Sequence, residues 1–366
     1  MIITANQKNI KRGLSLTERI VTRNLSLPVL QNIVLKTENG RLKISSTNLE
    51  IGINCWIGAK IEEEGEIAVP AKVFSDFIDN IHDEKITINS KDHVISINSE
   101  NYKTKIIGFS TKDFPIIPRV KETGFINVYS QDLLEILLTV IDSVSLSESR
   151  PELSGILINF SAGKIEGAAT DSFRLSEKVL NIKNNLSNGG DQSIILPRLT
   201  AQELIRILPG IDKISISVSD NQIFFVSDDL EIVSRLIEGS YPDYKKVIPE
   251  RHVSRVLVKK EDIEKSVRLA GVFSSHISDI KIKGESEGLR IAAKNTDKGE
   301  ASSWIGGAVV KDEPFEVMVN YRYLMDGLKI IPTDNIVLEF TGEGNPLIIR
   351  PEERKDITYL IMPLRT

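Results

Sequence analysis

The strongest match to a catalytic motif in this chain is GESEG, Gly284–Gly288, which fits the G-x-S-x-G pattern of a nucleophile elbow and would make Ser286 the nucleophile of a hydrolase. That chemistry needs a strand before the serine and a helix after it. Here SDIKIK precedes the pentapeptide and LRIAAKN follows it. Both alternate apolar and polar residues as strands do, so the stretch reads as a hairpin loop. GEGNP, Gly342–Pro346, lacks the third glycine and the helix that a dinucleotide requires. No G-x-x-x-x-G-K-[ST] occurs. The histidines His82, His93, His252 and His276 and the one cysteine, Cys55, are too scattered for a zinc site. No catalytic residue, metal site or cofactor is expected, and the chain is not read as an enzyme.

Lysine and arginine carry a different signal. The net charge is −5, so any attraction to phosphate must come from local clustering. Segments of helical spacing hold such clusters: Lys8, Lys11 and Arg12 with Arg23 just beyond, then Arg198 and Arg206, then Lys265 and Arg268. Helices at equivalent places in a repeated chain would share one side of the assembly. Lys and Arg along them would attract a phosphate backbone without reading bases. QDLLEILLTVIDSV weakens the pattern, having no basic residue.

Repeated elements must position these residues, and repetition is the main signal in the sequence. An extended apolar run, then Pro or a polar residue, then an amphipathic helix occurs as EIAVPAKVFSDFIDNI, SIILPRLTAQELIRIL and FEVMVNYRYLMDGLKI. Pro70, Pro197 and Asn320 fall at equivalent places, 127 and 123 residues apart. A Thr-containing polar turn between strands recurs around Thr47, Thr170 and Thr296. A helical phrase opens each unit: NQKNIKRGLSLTERIV, SQDLLEILLTVIDSV and KKEDIEKSVRLAGVF. Between the helices the chain alternates with period two, and Asn39-Gly40 is a two-residue hairpin signal. The reading is α+β: three units of helices and antiparallel strands, with boundaries giving residues 1–120, 121–250 and 251–366. Three such units admit a solenoid-like array, an open arc or part of a closed ring.

The length of 366 residues suits about two to four domains. A content of 41% apolar and 27% charged residues is ordinary for a soluble globular chain. No stretch approaches about 18 uninterrupted apolar residues, so no membrane partner is expected. One cysteine excludes an intrachain disulfide framework and fits a reducing compartment, the cytoplasm by default.

RNLSLPVLQNIVL (Arg23–Leu35), SRPELSGIL (Ser149–Leu157), ATDSFRL (Ala169–Leu175), EGSYPDYKKVIP (Glu238–Pro249) and YLIMPLR (Tyr359–Arg365) stand in the order of signature stretches of a known family. With the threefold repeat, the chain resembles, over its whole length, the bacterial β sliding clamps, processivity factors of the replicative DNA polymerase. The resemblance implies three DNA-clamp domains per chain and a head-to-tail homodimer closed into a six-domain ring. Helices would line the hole, sheets would lie outside, and double-stranded DNA would pass through without sequence preference. It also implies partners, among them the replicative polymerase and a clamp loader, that insert a short hydrophobic peptide into a pocket between the second and third units. By motif position that pocket comprises Leu153, Thr170, Phe173, Arg174, Leu175, Pro242, Lys246, Val247, Leu360, Ile361, Met362, Pro363, Leu364 and Arg365. Phe173 stands where the family often has His, and Lys246 where it often has Arg. Arg23 falls at a family DNA-contact position. Val272 and Phe273 fall at the ring contact, facing the edge strand around Tyr102–Ile107 of the other chain. The competing readings are a three-domain peptide-binding scaffold that never encircles DNA and, last, a hydrolase using Ser286.

Overall fold

The computed structural model describes residues 1–364 except 22–26, 121–123, 148, 162, 183–190 and 220. The chain follows one plan three times: a strand, a helix, four strands, a helix, three strands. In the first repeat these are β1 (Ile2–Asn6), α1 (Gln7–Thr17), β2 (Asn32–Glu38), β3 (Arg41–Thr47), β4 (Ile51–Glu63), β5 (Glu66–Pro70), α2 (Ala71–Asn80), β6 (Lys85–Lys91), β7 (Val94–Asn98) and β8 (Lys103–Ile107). The second has β9 (Ile126–Tyr129), α3 (Ser130–Val140), β10 (Gly155–Ser161), β11 (Lys164–Thr170), β12 (Arg174–Asn181), β13 (Gln192–Pro197), α4 (Arg198–Ile207), β14 (Lys213–Ser219), β15 (Gln222–Ser227) and β16 (Leu230–Arg235). The third has β17 (Ser254–Lys259), α5 (Lys260–Val272), β18 (Asp279–Glu285), β19 (Gly288–Asn295), β20 (Gly299–Ile305), an added short β21 (Val309–Asp312), β22 (Phe315–Asn320), α6 (Tyr321–Ile330), β23 (Asn335–Phe340), β24 (Leu347–Pro351) and β25 (Ile357–Ile361).

The helices form where apolar residues recur at three and four. α1 buries Ile10, Gly13, Leu14 and Thr17, and α5 buries Ile263, Ser266, Val267, Ala270 and Gly271. The side chain of Asn6 accepts the Lys8 N–H, and that of Asn320 accepts the N–H groups of Arg322 and Tyr323. Pro70 and Pro197 stand at the matching starts of α2 and α4.

The turns repeat as well. Asn39 and Gly40 take positive φ at the β2–β3 hairpin, the conformation that Asn-Gly favours. After β3 and β11 the chain turns through Leu49 and Ser172, both near φ 78°. The hydroxyls of Thr47 and Thr170 accept those residues' N–H groups and donate to the carbonyls of Ile51 and Arg174. The next residue accepts two N–H groups in every repeat: Asn48 from Glu50 and Ile51, Asp171 from Phe173 and Arg174, Asn295 from Asp297 and Lys298. The expectation that Thr296 matches Thr47 and Thr170 is therefore corrected: Lys294 takes their place in the ladder, opposite Glu300.

By contact the elements group into two compact units. The first gathers the first repeat with β9 and β14–β16. Its sheet runs β8-β7-β6-β1-β4-β16-β15-β14-β9, with β3, β2 and β5 branching from β4. The second gathers α3, β10–β13, α4 and the third repeat, with sheets β13-β10-β11-β12-β25-β24-β23-β17-β21 and β20-β19-β18-β22. The grouping cuts across the repeats because strands of successive repeats pair. β4 pairs with β16, Ile51 opposite Ser234 and Gly52 opposite Val233. β12 pairs with β25, Arg174 opposite Ile361 and Leu175 opposite Leu360. We call these the first and second joints.

Cys55 in the first joint and Lys178 in the second hold matching ladder positions, opposite Leu230 and Ile357, and both are fully buried. A buried lysine needs partners, and Lys178 has Glu135 at 2.5 Å and Asp356 at 2.6 Å. Arg354 bonds both carboxylates. Burial alone would raise the Asp356 pKa, but hydrogen bonds from Arg354 and Lys178 outweigh it and hold it at about 2.

Behind the second joint Tyr359 packs on Gly327, where an added Cβ would lie 2.4 Å from the ring. Gly327→Ala is expected to cost about 1–3 kcal/mol by overpacking, read as a lower denaturant midpoint. An unchanged midpoint would mean that the tyrosine ring moves freely.

Candidate functional site

A recess of about 230 Å³ opens beside the second joint, within the second compact unit. Strand alternation decides its floor. Leu175 and Leu360 are cross-strand neighbours and point the same way. They join Tyr244 in a buried cluster with Leu157, Ala168, Ile195 and Ile348. Leu153, on a 3₁₀ turn that opens at Pro151, forms one wall, and Pro242 and Val247 form another. Met362, half-buried, closes the side where the chain approaches its end. The recess is therefore mostly apolar, with Arg150, Thr170, Ser172, Arg174 and Asp243 as its polar members.

Those polar groups are held in place. The Tyr241 hydroxyl accepts the Thr170 N–H at 3.0 Å, and burial pushes its pKa up to about 12. The Tyr244 hydroxyl donates to Glu177 at 2.7 Å, and burial raises its pKa as well. Arg174 bonds Asp171 at 2.9 Å and Asp326, with its guanidinium 4.5 Å from the Tyr323 ring centroid. The last residues described are tied down: Met362 N–H donates to Phe173 C=O and Leu364 N–H to Met318 C=O, each at 2.8 Å. A preformed apolar cavity with fixed polar groups at its edge suits an extended peptide with apolar anchors.

Of the residues expected at this site, Leu153, Thr170, Arg174, Leu175, Pro242, Val247, Leu360 and Met362 line the recess. Phe173 lies beside it, 61% exposed. Lys246 projects to solvent and pairs with Asp243 at 3.0 Å. Ile361 is corrected: it faces the opposite side, into the core of the third repeat with Tyr359 and Ile349. Pro363 and Leu364 are half-buried but outside the lining, and Arg365 lies outside the described residues. Arg150, Ser172, Asp243 and Tyr244 line the recess without having been singled out. The residue pattern offered one hint, an aromatic in YPDYKKV that combines an apolar body with a polar tip.

The basic residues are less uniform than the sequence suggested. Lys8, Lys11 and Arg12 are exposed on α1, which carries no acidic residue. Lys11 pairs with Asp79 at 3.1 Å and Arg12 with Asp229 at 2.7 Å. Arg206 pairs with Glu203, Lys265 with Glu261 and, at 3.9 Å, Arg268 with Glu264. Arg198 is half-buried, its Nε without a hydrogen-bond partner among the described residues. α3 carries Asp132 and Glu135 and no base. Arg23 lies outside the described residues.

Several strands keep a free edge among the described residues, and those equivalent to the strands of the two joints are β8 in the first unit and β20 in the second. Tyr102 and Ile107 are exposed at the first, Ile107 by 72%. Near the second, Val272 is 63% exposed, and Phe273 packs partly on the third-repeat core. GESEG is the β18–β19 turn, with Glu285 opposite Gly288 and a strand on either side. No group of three or more potential metal ligands, and no helix long and apolar enough to cross a membrane, occurs among the described residues.

Three copies of one domain with an apolar recess beside the second joint define a repeat-built protein with a preformed cavity. Comparison with known proteins sharpens the class. The model of the DNA polymerase III beta subunit N-terminal domain matches residues 1–118, that of the central domain 127–243 and that of the C-terminal domain 245–365. The chain belongs to the DNA polymerase III beta subunit family. A beta sliding clamp of Synechocystis is 28% identical over 389 residues, spanning 100% of this chain and 99% of that protein. One of Rickettsia felis is 27% identical, spanning 98% of each. In fold, the chain matches the DNA polymerase III beta subunit of Thermotoga maritima at 23% identity and TM-score 0.93, over all of both chains. It matches the DNA polymerase sliding clamp of Bacillus subtilis at 22% and 0.95, over 100% and 99%.

Proposed function

We propose that two copies of this chain close head to tail into a ring around duplex DNA and tether the replicative polymerase there, which confers processivity. The protein is a sliding clamp and not an enzyme, in keeping with its family. The division into domains at about residues 120 and 250 is part of this reading. The observation that carries the ring is the repeated joint. The first two joints are made within the chain, and the strands equivalent to the two halves of a third, β20 and β8, each keep one free edge among the described residues. A second copy supplies each missing half, twice over, and so closes the assembly.

DNA is held topologically, by contacts weak enough to slide. Lys8, Lys11, Arg12, Arg23, Arg198, Arg206, Lys265 and Arg268 are the proposed phosphate-facing set. Carboxylates already beside several of them keep each contact shallow. The recess lined by Leu175, Leu360 and Met362 is the proposed docking site for the hydrophobic peptides of the polymerase, the loader and other partners, with Phe173, Lys246, Pro363 and Arg365 around it. Tyr102, Ile107, Val272 and Phe273 are the proposed subunit contact.

Sedimentation equilibrium tests the ring at its first requirement. The expected mass is twice 40.8 kDa at micromolar concentration. A stable 40.8 kDa species would favour the scaffold reading instead.

A further inference from the structure

The sheet face that carries the recess is apolar at one end and charged at the other. Side chains alternate along a strand, so Glu177 points the same way as Leu175 on β12, and Glu166 the same way as Ala168 on β11. Leu175 and Ala168 belong to the buried cluster at the recess. The two carboxylates, half-buried, bond instead to the segment 241–247, which supplies the wall formed by Pro242 and Val247. A carboxylate that loses water needs a donor in exchange. Glu177 accepts the Tyr244 hydroxyl at 2.7 Å, and this is the only bond of its carboxylate among the described residues. Glu166 takes Lys245 at 2.9 Å and Lys164 at 2.6 Å. Burial pushes the Glu166 pKa up, but the bonds from Lys164 and Lys245 outweigh it and hold it below the ordinary value. With the Tyr241 hydroxyl on the Thr170 N–H, three side-chain bonds pin the segment to β11 and β12.

The first joint shows that the fold alone does not require these bonds. Gly52 and Val233 pair there as Leu175 and Leu360 do at the second. Ile117 lies on that pair: a Cβ added at Gly52 would be 2.8 Å from Ile117 and 3.1 Å from Val233. Ile117 therefore holds the place of Tyr244, and Asn54, two residues beyond Gly52, that of Glu177. Ile117 has no side-chain donor, and Asn54 bonds Ser45 and Glu231 instead. With a glycine beneath it, the first segment settles onto the sheet.

Resting on the peptide-docking reading, we propose that Glu177 is a positioning residue for the recess: through the Tyr244 hydroxyl its carboxylate sets where the wall of Pro242 and Val247 stands over Leu175 and Leu360, and so sets peptide affinity without touching the peptide. Tyr244 lines the recess and Glu177 does not. Leu175 fills the space that Gly52 leaves open at the first joint, and Tyr244 reaches past it to the carboxylate. Glu166 steadies the same turn through Lys245. Without its acceptor the buried Tyr244 hydroxyl must find another partner, and the ring leaves the floor with Pro242 and Val247 following.

Fluorescence anisotropy of the full chain with a labelled short peptide carrying leucine and phenylalanine anchors tests this. Glu177→Leu removes the acceptor and is expected to weaken binding about tenfold. Glu177→Gln keeps an acceptor oxygen at the same reach and should bind within about twofold of wild type. Tyr244→Phe should lose about as much as Glu177→Leu, and the double variant, apolar at both ends, should bind no worse than either alone. A role in stability alone would lower the urea midpoint of Glu177→Leu and leave Kd unchanged. Should Glu177→Leu not fold, Tyr244→Phe and Glu177→Gln decide the matter. Wild-type affinity in Glu177→Leu or Tyr244→Phe, a Gln variant as weak as the Leu one, or additive losses in the double variant overturn the positioning role. If Met362→Ala still weakens the peptide in those cases, the docking site stands. A peptide that binds wild type and Met362→Ala equally well overturns the docking reading itself.

Discussion

Removal of Met362–Thr366 is expected to weaken binding of a hydrophobic partner peptide by about 100-fold or more, with the dimer mass unchanged. Met362 is one wall of the recess, and Leu364 ties the tail to β22 through Met318. Burying a side chain the size of Met against a ligand stabilises by about 1.5–3 kcal/mol. Loss of the wall also leaves Leu175 and Leu360 facing water when the peptide docks. Together these amount to about 3–4 kcal/mol, and each 1.4 kcal/mol is tenfold in affinity. β8 and β20 lie outside the deletion, so sedimentation should not change. Fluorescence anisotropy with a labelled peptide reads the affinity; an unchanged Kd would show that the recess is not where peptides dock. Met362→Ala alone should cost about tenfold.

The second large effect is on stability. Lys178→Ala is expected to cost about 2–4 kcal/mol of unfolding free energy, because it empties a fully buried side-chain volume and removes the ammonium between Glu135 and Asp356. Lys178→Met should cost less than half as much. Methionine fills the volume, Arg354 still bonds both carboxylates, and the equivalent position in the first joint is the apolar Cys55. Urea midpoints of the two variants measure the contrast, and equal losses would sink the account of the network. The same cluster sets an acid dependence. Asp356 has a folded pKa of about 2 against 3.8 ordinarily, so its contribution is fully present above about pH 4 and is lost as pH falls through about 2. Asp356→Asn should be less stable than wild type at pH 7, and the gap should narrow as pH falls to 2.

Local chemistry made much of this legible in the sequence. The cap at Asn320, the prolines at 70 and 197, the Asn39-Gly40 turn and the apolar spacing of α1 and α5 are short-range signals, and each sits where the structure uses it. What escaped depends on pairing between distant segments. Leu360 and Ile361 are equally apolar in the sequence, and only the ladder with β12, some 185 residues away, puts one in the recess and the other in a core. Lys178 looked like any strand lysine until β25 and α3 surrounded it. Lys294, not Thr296, holds the place of Thr47 and Thr170, because the third hairpin is longer by one residue between the paired positions. Tyr359–Ile361 close the strand that completes the second joint, and Met362 just beyond it is one wall of the recess.

The central claim is that the chain holds DNA by encircling it. Clamps loaded onto a nicked circular plasmid and passed through a sizing column at about 0.5 M salt test it, because phosphate contacts are screened there and a closed ring is not. The expected result is that clamps stay with the circle and are lost within minutes once a restriction enzyme linearises it. Dissociation from circular and linear DNA at the same rate would contradict the ring and leave only a scaffold that binds peptides.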